Sequence, residues 1–139
     1  MSAGLSYSWT FAGFPNPVNR FHTFQADTKV VIPAGNIFAF IPSFNVRFLL
    51  GEDVPVPYFN AIGGSLAGRY VEQQIPFIGV TNLSAMKNVL TVFRTDYRFR
   101  LMKNHYVTAI VNYARDCDDF RSYVEGLGYF GAGLEYAYD

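Results

Sequence analysis

Residues 88–101 read NVLTVFRTDYRFRL. Phe93, Thr95, Tyr97, Phe99 and Leu101 take the odd positions, and Arg94, Asp96, Arg98 and Arg100 take the even ones. A strand sends successive side chains to opposite faces, so this period of two gives one aromatic, apolar face and one charged face. A helix would scatter both sets around its cylinder. The segment is therefore a strand between two unlike environments.

Working outward, the same alternation returns. In GLSYSWTFAG (4–13), Leu5, Tyr7, Trp9 and Phe11 oppose Ser6, Ser8 and Thr10. In RFHTFQADTKVVI (20–32), Phe24, Ala26, Thr28 and Val30 oppose Gln25, Asp27 and Lys29. In IFAFIPSFNVRFLL (37–50), Phe38, Phe40, Phe44, Val46 and Phe48 oppose Ser43, Asn45 and Arg47. Pro42 removes a ladder donor there and predicts a bulge or a poorly paired site. In HYVTAIVNYARD (105–116), Val107, Ala109, Val111 and Tyr113 oppose Thr108, Asn112 and Ala114. In YFGAGLEYAYD (129–139), Phe130, Leu134, Tyr136 and Tyr138 oppose Gly131, Gly133, Glu135 and Asp139.

The pattern predicts an all-β chain: an antiparallel meander of about six long strands. A sandwich would dress its outer face in Lys and Glu. Here Ser, Thr, Gly and Asn dominate the polar face, apart from the arginine strand. Short turns at PAGN (33–36) and MKN (102–104) alternate with longer connections. Outer-membrane barrels alternate short periplasmic turns with long extracellular loops, and each strand needs ~9–11 residues to cross a bilayer. The reading is a partial transmembrane β-barrel, with lipid-facing aromatics and a wet lumen. The charges Arg94, Arg98, Arg100 and Glu135 face that lumen.

Composition agrees. The chain of 139 residues carries fourteen Phe and ten Tyr and has a formal net charge of zero. Charged residues make up 16%, against ~25% in soluble domains. With a balanced charge, nothing suggests a nucleic-acid footprint, and no nucleic-acid partner is expected. No apolar run approaches the ~20 residues of a spanning helix. The single cysteine, Cys117, makes no internal disulfide. No Cys/His spacing suggests a metal, and no cofactor motif is present. MSAGLSYSW (1–9) has no leader pattern and runs straight into a strand, which is read as the cut end of a longer sequence.

Between the third and fourth long strands lies IGGSLAGRYVEQQIPFIG (62–79). A nucleophile elbow needs G-x-S-x-G, but Ala67 stands at the fifth position. A phosphate loop needs Gly-Lys-Ser/Thr opening a helix; Arg69-Tyr70 stands there and Pro76 follows. What remains is a loop whose glycines let it fold back against a wall.

GGSLAGRY followed by QQIPFIG resembles the reentrant loop of the bacterial surface antigen superfamily, outer-membrane barrels that assemble or secrete other proteins. It is most similar to the barrel behind Bacteroidetes patatin-like phospholipase domains. The resemblance spans Leu5 to Asp139 and implies the later part of a barrel of roughly sixteen strands. It implies a loop lock of Gly63, Gly64, Arg69 and Tyr70, with Asp96 as the wall acid that meets Arg69. Two features depart from the wider superfamily: no glycine separates Arg69 from Tyr70, and Arg94 stands where an aromatic is usual. On this reading the chain is one partial-barrel domain, 1–139, with its reentrant loop at about 51–80. It is not itself an enzyme. It would anchor or translocate a passenger such as a patatin-like phospholipase in the bacterial outer membrane. Its partners would be outer-membrane lipid and the missing strands of the parent chain or other copies. A small self-contained adhesin or porin and a soluble lipid-binding β-barrel are the alternatives.

Smaller features read as structural. RDCDDF (115–120) gathers Asp116, Asp118 and Asp119 but lacks the glycine and distal Glu of a calcium loop, and reads as a solvated loop. His22 and His105 have no partner pattern for nucleophilic catalysis.

Overall fold

Alternation decides the local structure. The structure, a computed structural model, describes residues 2–13, 20–51, 54, 58–64, 74–80 and 83–139, with backbone alone for 2–13, 20 and 120. Six long strands form one sheet: β1 (Ser2–Gly13), β2 (Arg20–Ala34), β3 (Phe38–Gly51), β7 (Val89–Met102), β8 (His105–Cys117) and β9 (Leu127–Tyr138). Among the described residues, three two-residue strands lie between β3 and β7: β4 (Ala61–Ile62), β5 (Gln74–Ile75) and β6 (Ser84–Ala85). A short 3-10 helix, Phe120–Glu125, joins β8 to β9.

The long strands follow one another as an antiparallel meander, in the order β1-β2-β3-β7-β8-β9. Among the described residues nothing pairs with the outer edge of β1 or β9, so the sheet is open, consistent with part of a barrel wall. Register fixes the faces. Ser43 is opposite Arg94, Arg94 opposite Asn112, and Asn112 opposite Gly131. These share the polar face. Phe44, Phe93, Tyr113 and Phe130 form a matching row on the aromatic face. Cross-strand ring pairs tie that face together: Phe24–Phe48 at 5.9 Å, Phe38–Phe99 at 5.0 Å and Phe40–Tyr97 at 5.3 Å. Such pairs add about 0.5–1.5 kcal/mol beyond their buried area.

Turn chemistry closes the hairpins. Gly35 supplies the left-handed residue (φ 69°) between β2 and β3. Lys103 and Asn104 join β7 to β8, where a register shift falls between Arg100 and Met102. The Arg100 guanidinium steadies this turn by donating to the carbonyls of Met102 (3.3 Å) and Lys103 (2.7 Å). At Pro42 the β2–β3 ladder skips Val30 and Val31 and resumes in the same register, as a missing N–H requires. The β3–β7 ladder runs through Pro42 unbroken.

The buried core does not lie between two large sheets. It lies between the polar face and the β3–β7 connection. Ile62, Ile75, Phe77 and Met86 from the connection pack on Leu90 and Val92 of β7 and Ala114 of β8. Each large side chain fully buried here contributes about 1.5–3 kcal/mol.

Candidate functional site: a loop docked on the polar face

The described parts of the glycine-rich connection fold onto the polar face at the end of the sheet away from the short turns. Its own small sheet gives it shape. β4 pairs parallel with β5 and antiparallel with β6. Gly63 and Gly64 continue that pairing: Gly63 N–H donates to Ile75 O (3.2 Å), Gly64 N–H to Val80 O (2.8 Å), and Phe77 N–H to Gly64 O (2.9 Å). Gly64 adopts φ 63°, which favours glycine. The buried Gln74 amide donates to Gly63 O at 2.5 Å.

Two asparagines fix this unit to the wall. Asn60, fully buried, donates through Nδ2 to the carbonyls of Lys87 (2.7 Å) and Asn88 (2.9 Å), drawing the two ends of the loop together. Asn112 projects from the middle of β8. Its Oδ1 accepts from Ile78 N–H (3.0 Å), and its Nδ2 donates to Ile78 O (3.1 Å). One side-chain amide thus replaces the two backbone groups of a strand partner. Beside it, Gly131 leaves the space that Ile78 fills: a Cβ there would sit 1.7 Å from Ile78 O. A Cβ on Gly133 would sit 2.5 Å from Ile78 Cγ2. From β3, Arg47 donates to Tyr58 O (3.4 Å), and Phe21 meets the Tyr58 ring at 4.9 Å.

The residues singled out from the sequence are placed as follows. Gly63 and Gly64 lie in the docked loop. Arg69 and Tyr70 lie outside the described residues. Asp96 is buried on the polar face, and Arg94 engages both of its oxygens: Nε to Oδ1 at 2.6 Å and Nη2 to Oδ2 at 3.1 Å. The two are next-but-one neighbours on one strand, so they share a face. Arg98, Arg100 and Glu135 occupy the polar face toward the short turns. There Arg98, Tyr106, Thr108 and Glu135 line an open concavity of about 670 Å³.

The aspartates of 115–120 are more structural than a solvated loop. Asp116 is 3% exposed and accepts from Lys87 N–H (3.3 Å). Asp119 caps the 3-10 helix through Arg121 N–H and Ser122 N–H. Asp118 pairs with Lys87 Nζ at 2.7 Å, and this hydrogen bond holds the Lys87 ammonium above its usual range. The run closes β8 against the base of the docked loop, which the sequence pattern gave no sign of. His105 is taken up by Tyr136 through a 2.5 Å hydrogen bond. Among the described residues no group of three or more His, Cys, Asp or Glu converges on a metal position.

Sequence reasoning missed Asn60, Gln74, Asn112, Ile78 and the glycine pair of β9. One signal for them was available: Leu90, Val92 and Ile110 are apolar at polar-face positions. The arrangement holds the described parts of the connection against the polar face and covers one end of it. Searches with this chain against family models, curated proteins and solved structures find no match.

Proposed function

We propose that this chain is a module of a bacterial outer-membrane β-barrel of the surface antigen type, its loop folded inside the barrel, and that it anchors or translocates a passenger, a patatin-like phospholipase being the passenger its resemblance implies. One observation carries the membrane part: the aromatic face is free of charge over a height that fits a bilayer. Along β8, the aromatic-face positions from Arg115 down to His105 are Tyr113, Val111, Ala109 and Val107. Ten residue steps at ~3.4 Å, tilted by ~40°, span about 26 Å. The apolar band of outer-membrane barrels is ≈ 25 Å tall. On this reading the polar face lines the lumen, and Asn112 and Gly131 hold the loop within it. Further strands, from a parent chain or other copies, complete the wall.

Phase partition in a nonionic detergent tests the membrane reading. The refolded chain is expected in the detergent phase; a folded chain wholly in the aqueous phase refutes it. The passenger is tested separately by the coding sequence that flanks this one. A lipase domain in the same reading frame supports it, and a reading frame that adds only a leader refutes it.

A further inference from the structure

We propose that Arg115 is a docking point for the phosphate of a membrane-lipid headgroup, at the border of the aromatic face farthest from the short turns. The proposal rests on the membrane reading above and names a lipid partner for one residue.

Among the side chains described, Arg115 is the one charged group that the strands place on the aromatic face. It stands where the charge-free band ends. No carboxylate lies within ion-pair distance of it among the described residues. The chain nevertheless holds it in place. The 3-10 helix folds back so that the Tyr123 ring lies 5.4 Å from the guanidinium carbon, and Arg115 Nη2 donates to the Val124 carbonyl. Tyr123 is itself fixed by a 2.6 Å hydrogen bond between its hydroxyl and Thr91 Oγ1. A guanidinium this constrained, with no carboxylate beside it among the described residues, is prepared for an oxyanion, and Arg N–H donors suit the oxygens of a phosphate.

The surroundings choose between a free anion and a lipid. Val124 and Phe130 are 81% and 71% exposed, and the apolar band begins directly beside them. A soluble phosphate would leave these groups in water. A headgroup phosphate brings its own acyl chains, which cover them. The opposite border carries a matching polar-aromatic group: His105, bonded to Tyr136 and packed on the edge of Tyr138 at 5.0 Å. Aromatic girdles at both interfaces are the habit of membrane barrels.

The test uses the folded chain in dodecyl maltoside, which has no phosphate. Phosphatidylglycerol, the uncharged diacylglycerol and inorganic phosphate are added in separate arms, and native mass spectrometry reads retained ligand. Wild type is expected to keep phosphatidylglycerol and neither of the others. Arg115→Gln should keep roughly tenfold less, the size of one charge-assisted hydrogen bond. Arg115→Lys should fall between, and Arg98→Gln, on the other face, should match wild type. Equal retention by wild type and Arg115→Gln, or equal retention of diacylglycerol, overturns the proposal. Retention of inorganic phosphate alone overturns it in favour of a soluble anion. Should Arg115→Gln not fold, the guanidinium ¹⁵N signal of wild-type Arg115 serves instead. It must move with phosphatidylglycerol and not with diacylglycerol, and a still signal overturns the proposal. A chain that enters the detergent phase yet shows no lipid preference loses this inference alone. A chain that stays aqueous loses the membrane reading as well.

Discussion

A Cβ on Gly131 would stand 1.7 Å from the carbonyl oxygen of Ile78, a distance no pair of these atoms tolerates. The loop can therefore sit where it does only while residue 131 has no side chain. The same loop carbonyl is held by Asn112 Nδ2 at 3.1 Å, so glycine and asparagine act on one atom from two strands. Gly131→Ala should force the loop off the wall or shift β9. Overpacking of this kind costs about 1–3 kcal/mol. Limited proteolysis should cut within 64–88 faster in the variant than in wild type. Unchanged cutting with unchanged stability would mean that the loop does not dock on β9.

Asn112 makes a sharper prediction, because its two bonds need opposite polarity on one side chain. Asn112→Leu loses both and leaves two loop backbone groups without partners, at a cost of about 1–3 kcal/mol. Asn112→Asp keeps the acceptor for Ile78 N–H but turns the donor into a second acceptor facing Ile78 O. At neutral pH that carboxylate should destabilise the docked loop. Once protonated it donates again, so stability relative to wild type should recover as pH falls into the carboxylate range. Unfolding curves for both chains across pH check this. A difference that does not move with pH would remove Asn112 Nδ2 from the interaction.

The six strands and both of their faces were legible in the sequence because alternation is a local property. Phe93 and Arg94 announce opposite environments without knowledge of any partner. The docking of the loop was legible only in outline. The glycines of 62–79 gave the expectation of a closely packed loop, but Ile78 meets Asn112 across 34 positions and Gly131 across still more. The sign of that contact was a lapse in alternation at Leu90, Val92 and Ile110. It is a weak sign, because one apolar residue on a polar face has many explanations. Asp96 was read as an acid on the polar face, where it is buried, whereas the side chain that engages it came from two residues away.

That last relationship separates two locks. The sequence resemblance assigns Asp96 to Arg69; the structure places Arg94 on both of its oxygens. A double-mutant cycle on Arg94 and Asp96 should give a coupling of about 1–3 kcal/mol, since both side chains are largely shielded from water. The parallel cycle on Arg69 and Asp96 measures the lock implied by the resemblance. Coupling in both would mean one carboxylate shared by two arginines. No coupling in the Arg94 cycle would overturn the pair described here.

Leu134 and Glu135 are adjacent in β9 yet face opposite ways, since Leu134 is registered with Ala109 and Glu135 with Thr108. This makes them a direct test of the proposal that the aromatic face meets lipid. Leu134 lies in the row of Phe40 and Tyr97, well inside the charge-free band. An arginine there would be held in hydrocarbon at about 2–4 kcal/mol, falling to about 0–1 nearer the interfaces. Glu135 borders the open concavity, where an arginine stays in water beside Thr108. Leu134→Arg should therefore cut insertion into phospholipid vesicles by one to two orders of magnitude or more, whereas Glu135→Arg should insert nearly as wild type does. Carbonate-resistant association with the vesicles provides the measurement. Equal insertion of the two variants would mean that the aromatic face is covered by something other than lipid. The reverse order would put lipid on the polar face and exclude a barrel of this hand.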